Sequence, residues 1–334
     1  MIHRRNRHNP LKSLPAFFIG VFVFIALLSF LLPTEGPGAY DHIQLEYALK
    51  PPFVRVQYVK LNKSANAAQA TQYYPADSIV KISNDSLIIY YRNKSAYVAH
   101  KEDDRYILEQ KTFYLGTDRF GRDMWARIAY GSRVSLSIGF LAMIVSLSVG
   151  IPLGAVAGYM GGAVDKCIMW LATVVWSVPS VLLVMSFTLV FGKSLAQVFV
   201  AVGLTMWVDV ARTVRGRVMS IRHKEYILAA QIGGLSTWRI LSVHIFPNIL
   251  GPILILAASN FSTAVLLESG ISFLGLGVQP PTPSWGNIIR DHYAYLLMGK
   301  PWTVLFPALC IIGLILSLIS LANCLRDYYD VKGE

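Results

Sequence analysis

Six long apolar stretches dominate this chain, at 16–32, 134–164, 167–191, 195–210, 249–267 and 302–322, and a single charged residue, Asp209, falls inside them. A bilayer core about 30 Å thick is crossed by roughly 20 apolar residues in helix. In lipid every backbone N–H and C=O must be satisfied within the segment, so runs of this kind cross as helices. The first stretch holds 13 Leu, Ile, Phe or Val among 17 residues, which favour insertion by roughly 4–8 kcal/mol. The fourth is the shortest and carries Asp209 near its end. Only 15% of the 334 residues are charged. A soluble domain carries about 25%, so a soluble enzyme core is excluded. Arg4, Arg5 and Arg7 ahead of 16–32 also suit a cleaved signal peptide. The length of the run and the Pro33-Thr34-Glu35 that follows favour an anchor.

Lys and Arg in short loops set orientation. Thirteen lie in the N-terminal tail, beside Lys166, in 212–248 and in the C-terminal tail, against three (Lys193, Arg290 and Lys300) on the other side. Both termini are therefore expected in the cytoplasm. The net charge of +11 then reflects topology, and no nucleic-acid partner is expected. Residues 33–133 fall outside. Within them 53–61 alternates apolar and polar residues, and 78–92 carries β-branched and aromatic residues around Asn84-Asp85-Ser86. This predicts a small, mostly β insert with a hairpin turn at 84–86 and a loop at 65–71. A lid or spacer and a docking surface are both open as its role. Residues 122–133 suit a short interfacial helix leading into the second span.

The segment 212–248 is basic and too polar to span. Helix formers gather at 225–232, then Gly233-Gly234 breaks the helix. Ser236 is placed to cap the next one, and Pro247 is expected to stop it before the fifth span. The product is a helix–turn–helix elbow, too closely tethered to two spans to serve as a DNA reader.

Catalytic patterns are missing. Gly192-Lys193-Ser194 lacks the glycine five positions earlier that a phosphate loop needs, because Phe187 stands there. It reads as a tight turn. Cys167, Cys310 and Cys324 form no C-x-x-C pair, and no metal site is expected. Asp209 is expected to pair with Arg212. Glu268, at the end of the fifth span, is expected to pair with backbone or with Arg290. Trp176, Ser177, Pro179 and Asn260 either line a polar path or serve helix packing. A proton relay would need more carboxylates at depth, which disfavours an ion-coupled carrier.

Four motifs carry a family resemblance. Leu115-Gly116-Thr117-Asp118-Arg119-Phe120-Gly121-Arg122-Asp123, continuing through Arg127, Gly131 and Arg133-Val134-Ser135-Leu136, resembles the opening motif of the oligopeptide/dipeptide/nickel ABC-transporter permeases. Glu225-Tyr226-Ile227-Leu228-Ala229-Ala230 through His244-Ile245-Phe246-Pro247-Asn248 is similar to that family's coupling loop. Ser272-Phe273-Leu274-Gly275-Leu276-Gly277, with Pro280-Pro281-Thr282-Pro283-Ser284-Trp285-Gly286, matches its outer loop, and Leu325-Arg326-Asp327 its C-terminal signature. Leu228 stands where the general coupling motif has Glu. Phe246 replaces Leu, and Asn323-Cys324 replace Gly-Asp. Pro51-Pro52 resembles a pair that normally sits just before the opening motif, so the β insert is expected to be an addition to the family plan.

The resemblance implies an all-α integral membrane protein of the type I ABC importer permease type. Its six transmembrane helices would be joined by a small mostly-β extracytoplasmic insert. The expected organisation is a cytoplasmic tail at 1–15, a first helix at 16–32 and an extracytoplasmic segment at 33–112. A permease core follows at 113–323, with its coupling loop at 212–248, and a cytoplasmic tail at 324–334. It implies a bacterial inner-membrane subunit for peptide import, without catalytic residues. Its expected partners are membrane lipid, a second homologous permease, two ATP-binding ABC subunits holding ATP and Mg, and an extracytoplasmic substrate-binding protein. The short helix at about 229–234 would enter a cleft on an ATPase subunit. Glu225 and Arg239 would supply polar contacts, and Ala229, Ala230 and Gly234 close approach, beside Ser236 and Pro247. Ser284, Trp285 and Gly286 would meet the binding protein. Import of nickel chelates or another small solute is the nearest alternative, and a non-ABC channel or receptor the next.

Overall fold

The computed structural model describes residues 43–62 and 105–330, with four strands at 72–75, 78–83, 86–91 and 94–99 between them. The expected first span at 16–32, the loop at 65–71 and the tails at 1–15 and 331–334 lie outside the described residues. The chain divides into two compact units, one of Glu35–Arg127 with Ala294–Thr303, the other of Ile128–Tyr293 with Val304–Glu334 and the undescribed 1–34.

The first unit is β-rich. Strands β1 (Val54–Asn62) and β6 (Arg105–Phe113) pair antiparallel from Val54↔Phe113 to Asn62↔Arg105, and β2 (Gln72–Pro75) adds to the free edge of β1. Strands β3 (Ser78–Ser83), β4 (Ser86–Tyr91) and β5 (Lys94–Ala99) form a second antiparallel sheet; residues 84–85 of the expected hairpin turn lie outside the described residues. Alternation works as expected of a half-buried strand: Val56 and Tyr58 are buried while Arg55 is exposed. Tyr47 and Phe113 complete this small core, ring centroids 6.2 Å apart.

The two ends of the β-rich segment meet. Lys50 N donates to Thr117 Oγ1 at 2.8 Å, Thr117 N donates to Lys50 O at 3.1 Å, and Thr117 Oγ1 donates to Tyr47 O. The Pro-Pro pair thus abuts the opening motif in space, and the strands leave and return at one point. Insertions at closed points of this kind cost a fold little.

The opening motif is knotted around Asp118, which is fully buried. Its Oδ1 accepts from Phe120 N (2.8 Å) and Arg122 N (2.9 Å), and its Oδ2 faces Arg122 Nε (2.6 Å) and Arg127 Nε (3.6 Å). Gly121 has φ +72°, and a Cβ there would collide with Gln44 O, so the motif needs glycine twice over. Removing one partner of a buried ion pair strands the other charge, at about 3–5 kcal/mol. Asp118→Ala is therefore expected to open this unit, read as faster proteolysis within 115–127; unchanged proteolysis would refute the assignment.

The second unit is helical. Helix α1 (Met124–Met160) is capped by Asp123, whose Oδ1 accepts from Trp125 N at 3.0 Å. The expected separate interfacial helix is its first turns, because nothing in 122–133 breaks the helix once Asp123 starts it. Its 37 residues span about 55 Å. Helices α2 (Gly162–Trp176) and α3 (Ser180–Phe191) together make the expected third span, bent by 84°. The continuous helix expected at 167–191 is thus broken. Pro179 lacks an N–H and disfavours helix at Val178, and residues 176–182 are exposed, so no packing restores the helix. Gly192 (φ +103°) makes the expected turn, and Ser194 with Gln197 forms a capping box opening α4 (Leu195–Ile221).

Helix α4 runs past 210, so Arg212, Arg215 and Arg217 lie on its last turns rather than in a loop. Long basic side chains reach the interface from within a helix. After α5 (Glu225–Ile232) comes α6 (Thr237–Phe273), then α7 (Trp285–Leu297) and α8 (Trp302–Asp330). Among the described residues, α1, α4, α6 and α8 are long and apolar enough to cross a membrane, and counting the bent pair as one span makes five.

Glycines 150, 154 and 158 form a seam on α1, against which α4 lies close. Ideal Cβ atoms there would fall 2.5 Å from Val210, 2.4 Å from Ala211 O and 2.7 Å from Arg215 O. Small residues at four-residue spacing let helix backbones approach in lipid.

Candidate coupling elbow

The elbow is built by local capping. Helix α5 ends in a Schellman motif: Leu235 N donates to Ala230 O (3.1 Å) and Gly234 N to Gln231 O (3.0 Å), with Gly234 at φ +75°. The expected helix at 225–232 and its glycine stop are both present. The narrower helix expected at 229–234 begins four residues earlier and ends before the glycines. Ser236 Oγ accepts from Arg239 N at 3.4 Å, as a cap should. The expected stop at Pro247 does not occur. After a π-helical turn, Ile240–Ile245, the helix regains α geometry at Phe246, and Pro247 sits in that first turn. Proline is tolerated at such a position because its missing N–H costs no bond there.

Five expected elbow residues, Glu225, Ala229, Gly234, Ser236 and Arg239, are exposed together on this projection, with Ala230 half-buried and Pro247 exposed at the base. Apolar side chains accompany them: Ile232 is 89% exposed and Trp238 72%. Beneath them Ile227 is fully buried. It joins Val214, Val218 and Ile221 of α4 to Ile240, Ile245 and Ile249 of α6 in one apolar cluster. The end of α1 is clamped to the same elbow. Arg222 Nη1 donates to Gly158 O (3.0 Å) and Tyr159 O (3.3 Å), and Gln231 Nε2 to Tyr159 Oη (3.0 Å). Arg222 thereby caps orphan carbonyls at a helix C-terminus. Arg215 adds a two-pronged pair to Asp165 of α2, at 2.5 and 2.6 Å. Helix α5 is thus tied to α1, α4 and α6, and α4 in turn to α2. Ile227 and Arg222 were not singled out in the sequence; an apolar residue two places after Glu225 in a polar segment was the signal for the first.

The expected polar-path residues do not converge. Trp176, Ser177 and Pro179 are exposed at the break between α2 and α3, where Arg212 lies 4.7 Å from the Trp176 ring and bonds Thr173 Oγ1 at 3.3 Å. Those contacts replace the expected Asp209–Arg212 pair, and Asp209 is exposed. Asn260 is buried and donates to Ser146 Oγ of α1 at 3.1 Å, a contact between α6 and α1.

The loop before α7 departs further from expectation. Ser284 and Trp285 are buried, Trp285 Nε1 donates to Ile128 O (3.1 Å), and a Cβ on Gly286 would lie 2.4 Å from Ser269 O. These three lock the loop into the helices and offer no side-chain surface to a partner. They close over Glu268, which is fully buried. Its Oε1 accepts from Ser272 Oγ (2.7 Å) and its Oε2 from Ser135 Oγ of α1 (3.0 Å) and Ser269 Oγ (3.5 Å). Ser135 Oγ in turn accepts from Trp285 N at 3.3 Å. The expected partner Arg290 instead pairs with Asp291 at 3.1 Å.

Known proteins align with this architecture. Residues 150–330 match the family of binding-protein-dependent transport system inner membrane components. A dipeptide transport system permease protein, DppC, of Alkalihalophilus pseudofirmus is 37% identical over 71% of this chain and 78% of its own length. An oligopeptide transport system permease protein, OppC, of Escherichia coli K12 is 41% identical over 66% of this chain and 72% of its own. A DppC of Lactococcus lactis is 28% identical over 99% of this chain and 90% of its own. That last alignment runs over nearly all of this chain, residues 53–112 included. A chain of the inward-facing MetNI methionine ABC transporter superposes with a TM-score of 0.49 at 17% identity, covering 59% of this chain and 94% of that one. By the match over more than half its length, and by relatives of this identity, the chain belongs to the binding-protein-dependent transport system inner membrane component family.

Proposed function

We propose that this chain is the permease subunit of an ABC importer that moves di- or oligopeptides across the inner membrane, worked by separate ATPase subunits that dock on the elbow at 225–247. One observation carries the coupling: a projecting helix whose outer face is exposed and whose inner face is continuous with the apolar core of two spans. Such a helix converts displacement of a partner into displacement of the bundle. Peptide as substrate rests on the names borne by the relatives.

ATP with Mg binds the partner subunits, and this chain contributes no residue to hydrolysis. A second, homologous permease completes the gate, and a substrate-binding protein delivers cargo from the side of the β-rich segment. Both termini lie in the cytoplasm. Closure of two ATPases on nucleotide favours one arrangement of the bundle over the other, which is all a bistable gate needs.

The reconstituted complex tests this. Peptide-loaded binding protein is expected to stimulate ATP hydrolysis and uptake together. Stimulation by a nickel chelate alone would reassign the cargo. Uptake that persists without any ATPase subunit would overturn the importer reading.

A further inference from the structure

We propose that a cavity walled by α4, α6 and α8 binds the phosphate-bearing headgroup of an anionic phospholipid. The cavity has a volume of about 860 Å³. Three cations line it: Arg217 from the last turns of α4, Lys224 from the link between α4 and α5, and Arg326 from the end of α8. Residues 213, 217 and 220 fall on one face of α4, and Lys224 adds its charge just beyond the end of that helix. Among the described residues none of the three side chains has a carboxylate within ion-pair distance. Glu225 and Asp327 neighbour Lys224 and Arg326 in sequence, yet neither lines the cavity. All three residues are exposed; like charges lining one cavity repel one another, and an anion within it removes that cost.

The remaining walls select the kind of anion. Asn248, Ser220 and Tyr329 place neutral polar groups beside the cations, while Pro252, Ile255 and Leu256 make a stretch of the α6 wall apolar, with Ser259 beyond them. A headgroup with an acyl chain uses both the charged and the apolar stretch; a free phosphate uses only the first. The wall is also firmly built. A Cβ on Gly251 would lie 2.6 Å from the Tyr329 ring, so that glycine lets the end of α8, with Arg326, pack directly on α6. Basic pockets between spans are suited to anionic headgroups.

The assembled transporter, released from nanodiscs of equal phosphatidylglycerol and phosphatidylcholine, is examined by native mass spectrometry for retained lipid. Retained phosphatidylglycerol in excess is expected, falling about fivefold for each cation removed in Arg217→Ala, Lys224→Ala and Arg326→Ala. A charge-matched control, Lys166→Ala with Lys193→Ala and Lys300→Ala, is expected to retain it. Should the triple variant not assemble, Arg326→Gln alone, at the exposed end of α8, is expected to give the single fivefold loss. Ile255→Trp, which fills the apolar stretch, is expected to remove the lipid while leaving the cations in place. Equal retention in wild type and cation variants would overturn the proposal. So would displacement by millimolar inorganic phosphate with Ile255→Trp behaving as wild type, which would assign the site to a soluble anion.

Discussion

Glu268→Ala is expected to destabilise the helical unit by about 3 kcal/mol and to abolish uptake, with Glu268→Gln losing less than about 1 kcal/mol. The carboxyl accepts hydrogen bonds from Ser135, Ser269 and Ser272, and no part of it meets solvent. Removing it leaves three buried hydroxyls without their acceptor and opens a void beneath Trp285. Each buried group left unpaired costs about 1–3 kcal/mol. Some of that is recovered as serine hydroxyls turn to helix carbonyls. Glutamine keeps the shape and one acceptor oxygen, so the amide isolates hydrogen bonding from charge. Thermal melting of the purified complex and peptide uptake measure the two variants side by side. An alanine variant that melts with the wild type would remove Glu268 from its place as the link between α1, α6 and the loop before α7.

This cluster shows where sequence reasoning reaches its limit. An acid at the end of a span is conspicuous, and its importance was legible. Its partner Ser135 is 133 positions away, and a serine among many in apolar helices carries no local mark. The same contrast holds for the prolines. Pro152, Pro252 and Pro307 lie inside continuous helices, whereas the chain breaks at Pro179. What separates them is packing: residues flanking Pro252 are buried, while 176–182 are exposed. Helix and strand types, by contrast, followed from period and run length. The elbow followed from Gly233-Gly234 and Ser236, whose effects are confined to one turn of backbone. The closure of the β-rich segment on Lys50 and Thr117 was half legible, since Pro51-Pro52 looked displaced from the opening motif that it in fact touches.

Glu225→Lys and Gly234→Asp are expected to leave membrane insertion and melting nearly unchanged while reducing uptake to background. Glu225 is exposed in the first turn of α5, where its charge favours the helix N-terminus by only about 0.3–1 kcal/mol. Gly234 has open space around a would-be Cβ, so the substitution costs only the strain of its positive φ, about 1–2 kcal/mol. Both changes thus act on whatever covers the elbow rather than on the fold. Ile227→Ala attacks the other side of the same lever. It truncates the one buried anchor of α5, at about 2–5 kcal/mol of local stability, and loosens the joint between α5, α4 and α6. The surface variants are expected to lose association with the ATPase subunits. The anchor variant is expected to keep association and basal ATP hydrolysis but to lose the coupling of hydrolysis to uptake. Co-purification of the ATPases and the ratio of peptide moved to ATP hydrolysed separate these outcomes. If surface variants transport normally with full ATPase association, the elbow is no lever; if Ile227→Ala keeps the wild-type ratio, the apolar weld beneath it transmits nothing.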